Sequence, residues 1–205
     1  MEKTPQYSRR DLMQKLALSV LGIGTLPVAS LAKNEEIYSS NDTPKALLLK
    51  KDTGKMVNFG GLTTEFKLSK STTNGLIGSD ITLLKAGHLG APPHLHKNID
   101  EICYVLEGTV HILVGEEVFE VNAGDWHLRP HGVMHTFWNA SNETAKIIDI
   151  YLPAGHEDYL QDLAKLFENN QRPKPADFAD LEKKHDIVYF WPKLPEIMQK
   201  FKVHL

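Results

Sequence analysis

Between residues 46 and 152 the chain alternates short runs of β-branched and aromatic residues with clusters of turn formers. This spacing predicts strands at 46–50, 63–68, 77–84, 101–106, 110–114, 118–121, 126–128, 134–138 and 146–152. Glu107-Gly108, Gly115-Glu116, Asn122-Ala123-Gly124-Asp125 and Pro130-His131-Gly132 supply the turns between them. Many short strands with no helical run between them predict an all-β sandwich or barrel and exclude a parallel βαβ sheet. The period changes after Pro153-Ala154-Gly155, where Tyr159, Leu160, Leu163, Leu166 and Phe167 share one face of an amphipathic helix. Beyond Arg172-Pro173-Lys174-Pro175 a second helix carries Phe178 and Leu181, and 187–191 reads as a strand or extended segment before Pro192. The expected layout is a barrel over 44–152 and a helical extension over 153–205, packed on the barrel or at a dimer interface. Tyr104 and Leu106 alternate out of phase with Glu101, so their strand is apolar on both faces, consistent with a homodimer.

The first 32 residues have a different pattern. Ser8-Arg9-Arg10-Asp11-Leu12 leads through Lys15 into the apolar run 16–28, followed by the small residues of Ala29-Ser30-Leu31-Ala32. Residues 1–32 therefore read as an export signal. The run is broken by Ser, Gly, Thr and Pro and falls short of the roughly 20 apolar residues of a membrane span. The adjacent arginines resemble a bacterial twin-arginine signal, which implies export of a folded protein to the periplasm or medium. An uncleaved anchor, or a general secretory signal with an accidental arginine pair, is the alternative. Residues 33–43 are polar and read as a linker. Removing 1–32 from the 205 residues leaves a mature chain of 173, ample for one domain with a core.

Composition narrows the chemistry. With 41% hydrophobic and 24% charged residues the chain is globular, and a net charge of -3 excludes the basic surface that nucleic acid demands. A single cysteine, Cys103, excludes an internal disulfide and a cysteine-based zinc site. A metal centre would have to rest on histidine and carboxylate. Of ten histidines, seven fall between positions 88 and 135, a concentration that core packing does not require.

Two segments carry that concentration. In His94-Leu95-His96-Lys97-Asn98-Ile99-Asp100-Glu101 the two histidines stand two apart on a strand, about 6.6 Å along one face, so both can reach one ion. Glu101 opens the next strand and is the better candidate carboxylate; Asp100 points the other way at that step. In the second segment a turn fixed by Pro130 and Gly132 delivers His135 to the start of a strand, with Phe137 and Asn139 on the same face. His88 and His131 lie in turns and read as exposed, His111 as surface or core, and His127 as a possible neighbour of the centre. Arg129, at a strand end, reads as solvated or ion-paired.

These two segments resemble the motifs of the cupin family. The first is a glycine, His-x-His, three or four residues, Glu, six residues and Gly, matched by His94, His96, Glu101 and Gly108. The second is Gly, five residues, Pro-x-Gly, two residues, His, three residues and Asn, matched at every spacing by Gly124, Pro130, Gly132, His135 and Asn139. His88 departs from the pattern by standing where the family's opening glycine would be. The short separation of the motifs is similar to that of single-domain cupins. Gly90-Ala91-Pro92-Pro93, Tyr151-Leu152-Pro153-Ala154-Gly155 and Lys184-His185-Asp186-Ile187 resemble the quercetin dioxygenase-like monocupins of bacteria, more loosely than the motifs do.

The resemblance implies a cupin (double-stranded β-helix or jelly-roll) barrel with His94, His96, His135 and Glu101 as ligands of one divalent transition metal, Fe, Mn, Ni, Cu or Co. It further implies that a substrate hydroxyl meets the metal, that Glu101 assists its deprotonation as the catalytic residue, and that dioxygen then cleaves the ring. Cys103 and Phe137, on the inward faces of Glu101 and His135, are candidates to line the substrate pocket, with plain core packing as the alternative. A quercetinase-type dioxygenase acting on an enolisable small molecule such as a flavonol is thus the leading expectation. A non-redox isomerase or decarboxylase on the same ligands, or a non-catalytic metal-bearing binding protein, are the alternatives.

Overall fold

The structure is a computed structural model that describes residues 46–168 and 173–205. The expected export signal, linker and domain start at Pro44 lie outside the described residues. The expected separator reaches into the gap at Arg172, and its remainder, from Pro173, is described.

Eleven strands run along the described chain: β1 (Met56–Asn58), β2 (Leu62–Leu68), β3 (Gly78–Leu84), β4 (His94–His96), β5 (Asp100–Glu107), β6 (Thr109–Val114), β7 (Glu117–Asn122), β8 (Trp126–Arg129), β9 (His135–Trp138), β10 (Ala145–Leu152) and β11 (Ile187–Tyr189). Three α-helices follow the barrel strands: α1 (His156–Leu166), α2 (Ala179–Lys184) and α3 (Leu194–Phe201). Among the described residues the strands form two antiparallel sheets, ordered β1-β2-β3-β10-β5-β8 and β11-β4-β9-β6-β7. The fold is all-β with C-terminal helices, two antiparallel sheets as the resemblance implies.

The sheets face each other across one core. Leu62, Leu84, Cys103, Val105, Ala145 and Ile147 come from the first sheet and Val110, Ile112, Val121 and Phe137 from the second. Strand alternation sorts the rest: on β5, Glu101, Cys103 and Val105 are buried while Ile102 and Tyr104 are half-buried. The outward set is unusually apolar. Leu106, Trp126 and Leu128 are exposed, and Tyr104 stacks on Trp126 with ring centroids 4.6 Å apart. Trp126 and Leu128 lie on β8, an edge of its sheet.

Two expectations are corrected and a third is met. Residues 46–50 form no strand, and Leu48 is 81% exposed. The edge of β2 is occupied instead by β1, which buries Val57. The strand or extended segment expected at 187–191 forms β11, which pairs with β4, so part of the C-terminal extension completes one of the sheets. Finally, α3 is a helix that the sequence pattern did not predict, with Pro195 in its first turn and Ile197 buried against Trp138 and Leu89. The expected α1 forms, with Tyr159 and Leu160 buried and Leu163 and Leu166 packed against a second cluster shared with Phe178, Leu181 and Tyr189.

Candidate metal centre

Register brings the candidate ligands together. His94 on β4 pairs with His135 on β9, and Glu101 on β5 pairs with Arg129 on β8 and Tyr151 on β10. The turn before β9 is held by Gly132, whose φ of 72° suits glycine and whose N–H donates to the His96 carbonyl at 2.7 Å. Donor atoms of His94, His96, Glu101 and His135 all lie within 4.8 Å of one another, and the four residues are buried.

The second ring nitrogen of each imidazole explains how they point. His94 Nδ1 lies 2.8 Å from the Pro92 carbonyl, His96 Nδ1 2.9 Å from the Asp186 carbonyl, and His135 Nδ1 3.1 Å from the Val133 carbonyl. A carbonyl can only accept, so each Nδ1 carries the proton and each Nε2 presents a lone pair. His96 Nε2 and His135 Nε2 are buried with no hydrogen-bond donor among the described residues, and they face Glu101 at 3.0 and 3.4 Å. Two lone pairs aimed at a carboxylate repel it unless a cation lies between. The donor set therefore fits a divalent transition metal, and three nitrogens with one oxygen leave positions open on a six-coordinate ion.

Burial and charge set the protonation of these groups. Burial, reinforced by the neighbouring His135 and His96, holds the His94 imidazole well below its ordinary range, so it is neutral. Burial alone would raise the Glu101 carboxyl, but the Arg129 guanidinium outweighs it and holds Glu101 well below the usual carboxylate range. Arg129 Nη1 donates to Glu101 Oε2 at 2.9 Å, and its other terminal nitrogen donates to Asp149. Behind them burial lifts Asp149 to about 6, and burial together with Asp149 lifts Asp80 well above the ordinary value. Tyr151 donates to Asp80 at 2.8 Å. The centre thus rests on a buried ionic layer in which one guanidinium serves two carboxylates.

Arg129, expected to be solvated or ion-paired, is ion-paired, and what the sequence did not show is its burial, 2% exposed. One residue of this region escaped the sequence reading. His156, at the start of α1, is a fourth imidazole at the centre, its ring 4.8 Å from that of His96 and its Nε2 4.0 Å from Glu101 Oε1. Burial and His96 depress its basicity strongly. Its one available signal was its place directly after Tyr151-Leu152-Pro153-Ala154-Gly155. Cys103 and Phe137 lie in the packed core, where burial raises the Cys103 thiol and Arg129 sits 5.3 Å over the Phe137 ring. They do not line the large cavity of this face, whose wall includes His96, His156 and Tyr159. Asn139 caps a turn, donating to the Leu84 and Glu143 carbonyls and accepting from Ser141. His131 is exposed on Asp100, His88 packs on His204, His111 stacks on Trp138, and His127 contacts Phe119.

Comparison with known proteins agrees with this geometry. Residues 81–151 match the cupin domain, a span that contains all four candidate ligands. No curated protein matches. Among solved structures, KdgF from Halomonas sp. is 18% identical with a TM-score of 0.49, the match covering 56% of this chain and 99% of that one. A predicted oxalate decarboxylase from Thermotoga maritima is 16% identical with a TM-score of 0.49, covering 52% and 99%. A sugar phosphate isomerase of the cupin superfamily from Silicibacter pomeroyi is 18% identical with a TM-score of 0.45, covering 52% and 75%. The histidine-glutamate cluster thus lies wholly within residues 81–151, the part of the chain that matches the cupin domain.

Proposed function

We propose that this chain is an exported, metal-dependent dioxygenase of quercetinase type that acts on an enolisable small molecule. The observation that carries the proposal is the convergence of three Nδ1-anchored imidazoles on Glu101 beside a cavity. When bound, a divalent transition ion would supply Lewis acidity to an enolic oxygen and redox access to dioxygen. His94, His96 and His135 would hold it, each fixed in orientation by a main-chain carbonyl. Glu101 is ionised at neutral pH and has Oε2 committed to Arg129, which leaves Oε1 to meet either the ion or the proton of a substrate hydroxyl. His156, buried 4.0 Å from Glu101 Oε1, covers Glu101 on the side that faces α1.

The test is dioxygen uptake by the mature protein loaded in turn with Fe, Mn, Ni, Cu and Co, against a panel of flavonols and other enols. Uptake that needs both metal and enol is expected. No uptake with any pair, at full metal occupancy, would refute the dioxygenase reading and favour a non-redox isomerase or decarboxylase.

A further inference from the structure

Strand alternation sorts the six-stranded sheet in the reverse of the order that water favours. On β3, β5, β8 and β10 the inward positions hold Asp80, Glu101, Arg129 and Asp149, all buried. The outward positions are apolar. Register aligns them in two rows across the four strands, Trp126, Tyr104, Ile148 and Ile81 in one and Leu128, Ile102 and Ile150 in the next. None of these seven side chains is buried. An antiparallel sheet with one face in solvent ordinarily carries polar residues there, and a contiguous apolar face marks a site of association.

The chain's described helices do not supply the cover. Helices α1 and α2 pack in a cluster with Tyr189, and α3 packs on Trp138 and Leu89 of the other layer. Charge is nearly absent from the face. Its outward charged residues, Lys146 and Asp100, are engaged with Glu107 at 3.7 Å and with His131 at 2.7 Å. A nucleic acid or an anionic membrane would need a basic surface here. The size suits a like face: four strands about 4.8 Å apart, the two central ones of 8 residues each, present roughly 450 Å² in projection. Side-chain relief makes the accessible area larger, so two such faces laid together clear about 1,000 Å², the size a specific interface requires.

We propose that a second copy of this chain occupies this face, its own six-stranded sheet laid against the first about a two-fold axis. Two identical faces meet the isologous condition, each offering the other apolar rows and no unpaired charge. Sheets packed in this way lie about 10 Å apart with their strands crossing at about 30°. The same four strands carry Glu101 and Arg129 inward, so the partner backs the sheet on which part of the centre is built. The inference does not depend on the dioxygenase reading.

Sedimentation velocity on the purified protein reads the dissociation constant of the dimer. The wild type is expected to be dimeric at about 10 µM. Leu128 and Leu83 stand on β8 and β3, at opposite ends of the face, and are 55% and 38% exposed, so a charge at either spares the core. Leu128→Glu and Leu83→Glu are each expected to raise the dissociation constant at least about 50-fold, because association would bury an unpaired carboxylate. Val118→Glu, on β7 of the other sheet and 42% exposed, is the control and should change the constant less than about threefold. A wild type that stays monomeric at about 100 µM overturns the proposal, as does a dimer that survives either substitution on the face or that Val118→Glu breaks equally. Should a glutamate variant lose its β-sheet circular dichroism, Leu128→Ser and Leu83→Ser replace it, each with about a tenfold rise expected, and an unchanged constant in either overturns the proposal.

Discussion

Arg129→Met is the most direct test of how the centre is supported. The substitution keeps much of the side-chain volume and removes the guanidinium that Glu101 and Asp149 share. Both carboxylates are 3% exposed, so water cannot replace the lost donor cheaply. Breaking a buried ionic set by removing one member costs about 3–5 kcal/mol. For a domain of this size each kcal/mol lowers the melting temperature by about 2–4 °C, so a fall of about 6–20 °C is expected. The cost has a definite pH dependence. Asp149 already titrates near 6 because of burial, and without Arg129 both carboxyls move upward, above their unfolded values. A carboxyl that binds its proton more tightly in the folded state stabilises at low pH and loses that contribution as pH rises. The penalty relative to wild type should thus be largest near about pH 8 and smaller near about pH 5. Urea unfolding of the metal-free proteins at these two values is the assay. A penalty below about 1 kcal/mol at the higher pH, or one independent of pH, would refute the reasoning.

Other outcomes follow from the same structure. His96→Ala should lower metal affinity by more than about 100-fold, read as metal content after dialysis; a stoichiometric ion in the variant would contradict the ligand assignment. His156 is buried and kept neutral, whereas the unfolded chain takes up a proton on it below about pH 6.5, so it makes stability fall as pH falls. His156→Phe should remove up to about 1.4 kcal/mol per pH unit of that slope in the metal-free protein, and an unchanged slope would show that the imidazole titrates normally in the fold. A Cβ on Gly90 would lie 2.2 Å from the Phe137 ring, so Gly90→Ala should destabilise by about 1–3 kcal/mol in thermal unfolding, and wild-type stability would contradict the contact. For quaternary structure and processing, Trp126→Glu should convert the expected homodimer to monomer by light scattering, and the exported protein should begin near Lys33; a monomeric wild type or an intact Met1 would count against each.

The four candidate ligands were legible because two short segments carry spacings that resemble the cupin motifs: strand alternation places His94 with His96 ahead of Glu101, and the Pro130-Gly132 turn precedes His135. Arg129 shows the limit. A charged residue at a strand end is ordinarily solvated, and its burial depends on Glu101 and Asp149 arriving from β5 and β10, which no local pattern encodes. His156 was hidden for the same reason, since its meaning comes from its ring meeting His96 and Glu101, which arrive from β4 and β5. The apolar run 46–50 shows the opposite error: a strand needs a partner edge as well as β-forming residues, and Met56–Asn58 holds that edge. Helix α3 lies beyond Pro192, where the sequence reading stopped, and Pro195 occupies its first turn, where proline is tolerated.

The carbonyl that orients His96 belongs to Asp186, separated from it by 90 positions along the chain. During synthesis every candidate ligand leaves the ribosome well before that carbonyl does, so a nascent chain exposes three histidines and a glutamate without the tautomer lock on one of them. Full-strength capture of an ion is then a late event that follows docking of the tail. By the same logic, a protease that clips the tail would remove both that carbonyl and the strand paired with β4, and with them the fixed orientation of His96.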